Sequence, residues 1–442
     1  MRKTVALISL GCAKNLINSE QMLYLLDEAG YALTDEPNGA DAVVVNTCGF
    51  IDAAKSEAIE AILELGAAKA RGRVGRIVVA GCLAQRYKAE LMREMPEIDA
   101  IVGTGSYGDI VEAVGAETGR TRFLGDIDGS GAETRRIVTS PGPWAYIKIA
   151  EGCDNRCAFC TIPEIRGAYR SRAAERIVDE ARELAGRGAR ELILVAQDTT
   201  RYGTDIYGAR ALPALLAELC AIEAVSWIRL HYMYPDAIDD ALIDAVASNG
   251  KIVKYFDIPI QHINDDILRR MNRRSSGAEI RALISKLRSR VPGAVIRTSL
   301  IAGLPGEGEA QFEELCGFLL EYKLERAGVF TYSPEEGTPA ADMPRPDFNT
   351  ANRRARLIEE LQSRVMDGYN AGRVGERCTV LIERREGELY AGRSYAESPE
   401  VDGEILVQGE GLAIGGFSEV IITSASDGRV IAKPIQTEVV IP

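Results

Sequence analysis

Histidine is scarce in this chain of 442 residues, which contains only His231 and His262. A metal site built from several imidazoles is therefore excluded, and a mixed cysteine–histidine zinc site would have to recruit one of these two residues. Long apolar runs are also missing, because no stretch approaches the ~18 residues that a membrane-spanning helix needs. The sequence therefore predicts a protein without a membrane-embedded part.

Positive charge is in deficit as well. Lys and Arg total 52 against 65 Asp and Glu, which gives a net charge of −13. Such a protein is a poor general binder of nucleic acid and suits a basic partner. The apolar run at residues 5–10 is short and lacks the cleavage pattern of a secretory signal. We therefore expect a cytoplasmic protein, in which nine cysteines indicate metal sites rather than disulfides.

Three cysteines lie in one loop, at Cys153, Cys157 and Cys160, just after the apolar run 145–150. Thiolates packed this densely bind a soft metal or an iron–sulfur cluster. Because no fourth cysteine is near, one coordination position would stay open for a cofactor or substrate. A structural zinc loop with a distant fourth ligand is the alternative. Phe159 would add an apolar, aromatic wall.

Three more cysteines, Cys12, Cys48 and Cys82, each follow a predicted strand. Residues 1–120 alternate strand-like and helix-like segments, the third helix at 86–95, and this pattern predicts a parallel sheet with crossover helices. The carboxyl ends of parallel strands meet at one edge of a sheet. We therefore expect these thiols to converge and interpret them as ligands of a second three-thiolate cluster.

The remaining chain divides by its pattern into four parts. Residues 121–142, rich in Gly, Asp, Ser and Pro, predict a linker. Six strand–helix units over 143–348 predict a partial (β/α)6 barrel related to the eight-unit barrel, with its site at the carboxyl ends of the strands. A charged helix over 349–373 leads to 374–442, where short alternating runs and Gly-rich turns predict a small β-barrel. The predicted fold class is thus α/β with a terminal β-barrel.

Further candidate residues occupy predicted strand ends in the partial barrel. They are Gln197, Asp198, His231, Tyr232, Pro259, Gln261, His262, Ile301, Gly303, Pro305 and Gly306. The glycines would let backbone approach a ligand closely, and ordinary turn chemistry is the alternative. Cys220, Cys316 and Cys378 stand apart from the clusters, and we interpret them as packing residues.

The spacing CxxxCxxC at residues 153–160 resembles the signature of radical S-adenosylmethionine (SAM) enzymes. Together with the N-terminal cysteines, the partial barrel and the terminal β-barrel, which is called TRAM in that family, nearly the whole chain resembles the methylthiotransferases. The stretches LGCAKNLINSE from Leu10, VNTCGFI from Val45 and QDTTRYGTD from Gln197 are most similar to members that modify ribosomal protein S-twelve.

The resemblance implies two 4Fe–4S clusters, one on Cys153, Cys157 and Cys160 and the other on Cys12, Cys48 and Cys82. The first would bind SAM on its open iron and generate a 5′-deoxyadenosyl radical that removes hydrogen from the β-carbon of an aspartate. The second would deliver sulfur, and a second SAM would supply the methyl group. An external electron donor is implied. The resemblance also assigns a SAM pocket to Phe159, Gln197, Ile301, Gly303 and Gly306.

The charge of the terminal module bears on the partner. From residue 374 to the end there are twelve acidic and six basic residues. An acidic module suits a basic ribosomal protein, free or within its subunit, whereas a tRNA-binding module would present cations to phosphates. A solvated acidic face is the alternative. We expect no direct tRNA binding, and the competing hypotheses are a tRNA 2-methylthioadenosine synthase, a non-catalytic metal-binding protein and an RNA-binding module.

Overall fold

Two parallel sheets and a closed barrel follow one another along the chain in a computed structural model, which describes residues 2–116, 119–129, 133–140, 142–426 and 428–435. The first sheet contains β1 (Thr4–Ser9), β2 (Ala32–Thr34), β3 (Ala42–Thr47), β4 (Arg76–Gly81), β5 (Ala100–Val102) and β6 (Thr121–Phe123). Its order is β2-β1-β3-β4-β5-β6, with every pair parallel. The helices are α1 (Ala13–Glu28), α2 (Asp52–Ala70), α3 (Cys82–Glu94) and α4 (Ile110–Gly115).

The central strands of this sheet are apolar on both faces. β3 is buried along its whole length, and alternate valines of β3 and β4 face two different hydrophobic clusters. Continuous apolar strands are typical of a parallel sheet that is covered by helices on both sides. The arrangement leaves the carboxyl ends of the strands free to carry the first group of cysteines.

The second sheet is an open, six-stranded parallel sheet in the order β14-β13-β12-β11-β10-β7. Its strands are β7 (Trp144–Lys148), β10 (Glu191–Val195), β11 (Trp227–Leu230), β12 (Ile252–Asp257), β13 (Val295–Ala302) and β14 (Arg326–Thr331). The intervening helices are α5 (Ile162–Arg166), α6 (Ala174–Gly186), α7 (Leu212–Cys220), α8 (Asp240–Ser248), α9 (Asp265–Arg270), α10 (Gly277–Arg290) and α11 (Glu309–Tyr322). A small antiparallel pair, β8 (Ala150–Glu151) with β9 (Arg170–Ser171), brackets the loop that holds Cys153, Cys157 and Cys160.

A long helix, α12 (Phe348–Gly372), leads to the closed terminal barrel. The barrel strands are β15 (Arg377–Glu386), β16 (Leu389–Arg393), β17 (Ile405–Gln408), β18 (Phe417–Ser426) and β19 (Arg429–Pro434). Residues 394–402, here called the docking loop, contact side chains of the open sheet. The contacts join Ser398 to His231 at 2.7 Å, Glu400 to Tyr146 at 2.8 Å and Asp402 to Tyr255 at 2.6 Å. The terminal barrel is thus anchored to the open sheet by polar contacts that are buried or partly buried.

The predicted fold class is confirmed in all three parts. The prediction was wrong at the short elements: Thr121–Phe123, placed in the linker, is the edge strand β6, and Ala32–Thr34 was not recognised as β2. Three-residue strands are too short to show a period. The helix expected over 86–95 begins at Cys82. Within the described part of the chain, none of the helices is both long and apolar enough to cross a bilayer.

Candidate active site

The first three cysteines meet at the carboxyl edge of the N-terminal sheet. Cys12 is the N-cap of α1, Cys82 is the first residue of α3, and Cys48 directly follows β3. The loops touch, because a Cβ added to Gly11 would lie 2.8 Å from Cys48 Cβ. The positive end of a helix dipole favours a thiolate at both helix starts.

Glycine next to each cysteine permits this close approach. Gly11 and Gly81 have φ of +93° and +92°, a left-handed conformation that disfavours other residues. A Cβ on Gly81 would lie 2.7 Å from Thr47 O, and one on Gly49 would lie 2.9 Å from Leu83 N. The backbone of the three loops is therefore packed without room for larger side chains.

Asn15 connects the three loops through its buried amide. Its Nδ2 donates to Leu10 O at 3.0 Å and to Thr47 O at 2.9 Å, and Asn46 Nδ2 donates to Asn15 O at 2.8 Å. The Cys82 thiol lies 3.7 Å from Asn15 Oδ1. Since Asn15 is fully buried, these bonds fix the relative positions of the strand ends that carry Cys12, Cys48 and Cys82.

The charges around this group act on its thiols unequally. Burial opposes ionisation of Cys12, but Lys14 and Arg166 outweigh it and lower its pKa. Burial, together with the neighbouring Cys82, raises the pKa of Cys48 to about 11. Burial also raises the pKa of Cys82, against the attraction of Arg166. Two buried cations thus face a group whose thiols influence one another, as expected for ligands of an anionic cluster.

Cys153, Cys157 and Cys160 form the other group, in the loop after β8. Hydrogen bonds hold the backbone of this loop at several points. Cys153 N donates to Gly167 O at 3.1 Å, and Cys160 N donates to Cys157 O at 3.0 Å. Asn155 Nδ2 donates at 2.8 Å to the buried Asp198 carboxylate. Asp198, at the end of β10, therefore positions the cysteine loop.

A polar pair covers Cys157. Tyr234 Oη lies 2.7 Å from Cys157 Sγ, and Arg273 Nη1 lies 3.5 Å from the same sulfur. Arg273 also stacks 4.0 Å over the Tyr234 ring. Burial raises the pKa of Cys153 to about 11 and raises that of Cys160, so metal coordination would be needed to keep these thiols ionised.

Arg166, the last residue of α5, connects the two groups of cysteines. Its guanidinium lies 3.4 Å from Cys82 Sγ and hydrogen-bonds to Asn15 Oδ1. On its other side it pairs at 3.0 Å with Glu151, which immediately precedes the loop of the second group. Arg166 therefore joins the edge that carries Cys82 to the strand that leads into the cysteine loop at residues 153–160.

The residues expected around SAM have different surroundings in the structure. Gln197 Nε2 donates to Glu151 at 2.7 Å, while its Oε1 is buried and has no hydrogen-bond partner among the residues that the structure describes. Phe159 and Ile301 pack against one apolar cluster beside the cysteine loop. Gly303 has a φ of +82° and packs against Ala351, and Gly306 has a φ of +86° and packs against Arg270. The positive φ of both glycines is the conformation that turn geometry requires, and it leaves their backbone without a side chain at this end of the sheet.

The histidines needed for the zinc alternative are engaged elsewhere. His231 Nε2 contacts Ser398 in the docking loop, and His262 lies 3.5 Å from Glu307. In the described ranges, no three His, Cys, Asp or Glu side chains are grouped to hold one metal ion. An iron–sulfur cluster instead spreads thiolates over several irons. Two all-cysteine groups, each with three thiols, fit such clusters.

Several residues of the site were not recognised in the sequence. They are Lys14, Asn15, Glu151, Arg166, Tyr234 and Arg273. The available signal for Arg166 was its place at the end of the short segment 162–166, which directly follows the cysteine loop. For Tyr234 and Arg273 no local signal exists, because they reach Cys157 only through the fold.

Comparison with known proteins agrees with this geometry. Residues 4–103 match the model of "Uncharacterized protein family UPF0004", residues 147–319 that of the radical SAM superfamily, and residues 374–435 that of the TRAM domain. The radical SAM methyltransferase TsrM of Kitasatospora setae shares the fold with a TM-score of 0.57 over 77% of each chain, at 15% identity. OxsB, a cobalamin-dependent SAM radical enzyme, gives a TM-score of 0.52 over 82% of this chain and 56% of its own, at 12% identity. The matched models and the cysteine spacing together define a radical SAM protein with a UPF0004 domain and a TRAM domain.

Curated relatives narrow the class. Ribosomal protein uS12 methylthiotransferase RimO of Thermoanaerobacter sp. (strain X514) is 46% identical, with 98% of this chain and 100% of the relative covered. RimO of Desulforudis audaxviator (strain MP104C) is 48% identical, with 98% and 97% covered. The chain belongs to the RimO family of ribosomal protein uS12 methylthiotransferases.

Proposed function

We propose that this chain adds a methylthio group to the β-carbon of an aspartate in ribosomal protein uS12. The observation that carries the proposal is a chain with two three-thiol groups, in which the buried Arg166 contacts Cys82 of one group and Glu151, two residues before Cys153 of the other. The relatives of this chain carry that activity in their names. Three thiols leave one iron of each cluster without a protein ligand. The tRNA-modifying alternative is not favoured by these relatives.

The residues divide the work between two sites. Cys153, Cys157 and Cys160 would hold one 4Fe–4S cluster, and Cys12, Cys48 and Cys82 the other. When bound, the first cluster and SAM supply the radical that removes hydrogen, the second cluster supplies sulfur, and a further SAM supplies the methyl group.

The chain's own residues prepare the space between the sites. Phe159 and Ile301 form an apolar wall that would exclude water, and Gln197 presents a buried amide oxygen able to accept a hydrogen bond from a ligand. Gly303 and Gly306 would complete the SAM pocket through their backbone. Glu151 is kept ionised, because Arg166 and Lys148 outweigh its burial and lower its pKa.

We assign the second cluster to residues 1–120, the radical chemistry to 143–348 and substrate contact to 374–442, joined by the linker 121–142 and the helix 349–373.

Charge supports a basic protein as the partner in the cytoplasm. In the terminal barrel, Arg393 is buried against Glu191 and Glu383, and Arg384 is paired with Glu386 and Glu404. Acidic residues outnumber basic residues by twelve to six from residue 374 to the end, so direct tRNA binding is not expected.

The test is mass spectrometry of uS12 and of tRNA nucleosides after reaction with SAM and dithionite under anaerobic conditions. We expect methylthiolated aspartate in uS12 and unchanged tRNA. Cys153→Ala should abolish SAM cleavage, whereas Cys12→Ala should retain SAM cleavage and lose sulfur insertion. Cys220→Ala, in α7 and outside both groups, is the matched control. Methylthiolation that persists in Cys12→Ala would refute the assignment of the second cluster.

A further inference from the structure

Arg166 occupies a buried position that its place in the chain does not require. Only 2% of the residue is exposed, although it ends a helix of five residues at the junction of two sheets. Its guanidinium meets Cys82 Sγ and Asn15 Oδ1 of the N-terminal sheet and both oxygens of Glu151 in the central one. Arginine suits such a position, because its planar fork serves several acceptors at once.

Arg166 has anionic groups on both sides. On one side lie Cys12 and Cys82, whose thiolates would bind an anionic cluster. On the other side lies Glu151, which also pairs with Lys148 at 2.8 Å and accepts from Gln197 at 2.7 Å. Because the group is buried, solvent screens these interactions only weakly. The field of Arg166 therefore reaches the second cluster directly and is partly offset by Glu151.

We propose that Arg166 is a positioning residue for sulfur transfer, which fixes Cys82 relative to the SAM-side loop and raises the reduction potential of the second cluster. One-electron reduction adds negative charge to a cluster, so a nearby cation makes reduction easier. The inference rests on the proposed function, because it assumes a cluster on Cys12, Cys48 and Cys82. Arg166, which is not a cysteine ligand, would then set part of the reduction potential of that cluster.

The test uses full-length protein carrying Cys153→Ala, Cys157→Ala and Cys160→Ala, which leaves only the second cluster. Its potential is measured by redox titration with dithionite, followed by electron paramagnetic resonance and iron analysis. Arg166→Gln should lower the potential, since a positive charge is lost. Glu151→Gln should raise it, since the opposing negative charge is lost. Arg166→Lys should recover most of the shift.

A matched control separates this effect from the loss of any buried arginine. Arg354 of α12 is similarly buried and pairs with Glu307, so Arg354→Gln should leave the potential unchanged. An unchanged potential in Arg166→Gln with full iron content overturns the proposal, as does a downward shift in Glu151→Gln. If Arg166→Gln fails to retain iron, Glu151→Gln decides alone: an upward shift supports the proposal and no shift overturns it. Absence of iron from the triple-cysteine background, with Arg166 intact, would instead refute the second cluster itself.

Discussion

Glu191 of β10 and Arg393 of β16 form an ion pair across the interface between the open sheet and the terminal barrel, with 2.7 Å between Oε2 and Nη2. Arg229 Nε lies 2.6 Å from the other oxygen of Glu191, and the three side chains are almost wholly buried. A buried ion pair is stable only while every charge keeps its partner. The terminal barrel is therefore held in one orientation by a network that tolerates few changes.

Removal of Arg393 should release that network. We expect Arg393→Met to lower the free energy of unfolding by about 3–5 kcal/mol, because Glu383 loses its partner and Glu191 keeps only Arg229. Urea unfolding can be followed by tryptophan fluorescence, since Trp227 packs 4.8 Å from Phe417 at this interface. Arg384→Met, which removes an exposed pair, should change stability by less than about 1 kcal/mol. Equal effects of the two substitutions would contradict the role of burial.

Gly81→Ala tests the packing around Cys12, Cys48 and Cys82. The added Cβ would collide with Thr47 O and the Asn46 side chain, and relief of the collision would displace the adjacent Cys82. We expect the iron content to fall from about eight to about four atoms per chain. Gly72→Ala shares the positive φ but has open space, so it should retain full iron while losing about 1–2 kcal/mol of stability.

His231, which contacts Ser398 of the docking loop, should make the stability of the protein depend on pH. Burial lowers its pKa to about 3 in the folded protein, against the attraction of Asp257, while Arg229 and Arg297 add to the lowering and Glu191 opposes it. The unfolded chain takes up a proton near pH 6.5 and the folded protein does not, so stability falls as the pH drops below about 6.5. Between about pH 7.5 and pH 5.5 the loss should be about 1.4 kcal/mol.

The measurement compares urea midpoints of the parent protein and His231→Gln at both pH values. Other groups titrate equally in the two proteins, so the difference isolates His231. A pH dependence that is identical in the two would show that His231 contributes nothing.

Tyr234→Phe should change the reduction potential of the cluster on Cys153, Cys157 and Cys160 without removing the cluster. The hydroxyl at 2.7 Å from Cys157 Sγ would donate to a thiolate ligand, and hydrogen bonds to cluster sulfurs raise the reduction potential. We expect a lower potential, slower reductive cleavage of SAM and unchanged iron content. Tyr207→Phe, in which an exposed hydroxyl away from the thiols is lost, should match the parent. A wild-type potential in Tyr234→Phe would contradict this role.

The large elements and the cysteines could be predicted from the sequence. Apolar strands such as β3 have a clear length and composition, and parallel topology alone implies that Cys12, Cys48 and Cys82 meet at one edge. The contacts that join the domains could not be predicted in this way. Arg166, Tyr234 and the docking loop reach their partners through tertiary packing, and nothing in their local sequence encodes the distance to Cys82, Cys157 or His231.

The five residues of α5 have a consequence for how such a chain can vary. Since this one short helix leads from Cys160 to Arg166, the separation of the cysteine loop at residues 153–160 from the edge that carries Cys82 is set within a single segment. A change in the length of a surface loop elsewhere in the chain would leave that separation unchanged. The insertion of one residue between residues 161 and 165 would turn Arg166 away from Cys82 Sγ. The N-terminal and central domains would keep their folds but lose this alignment.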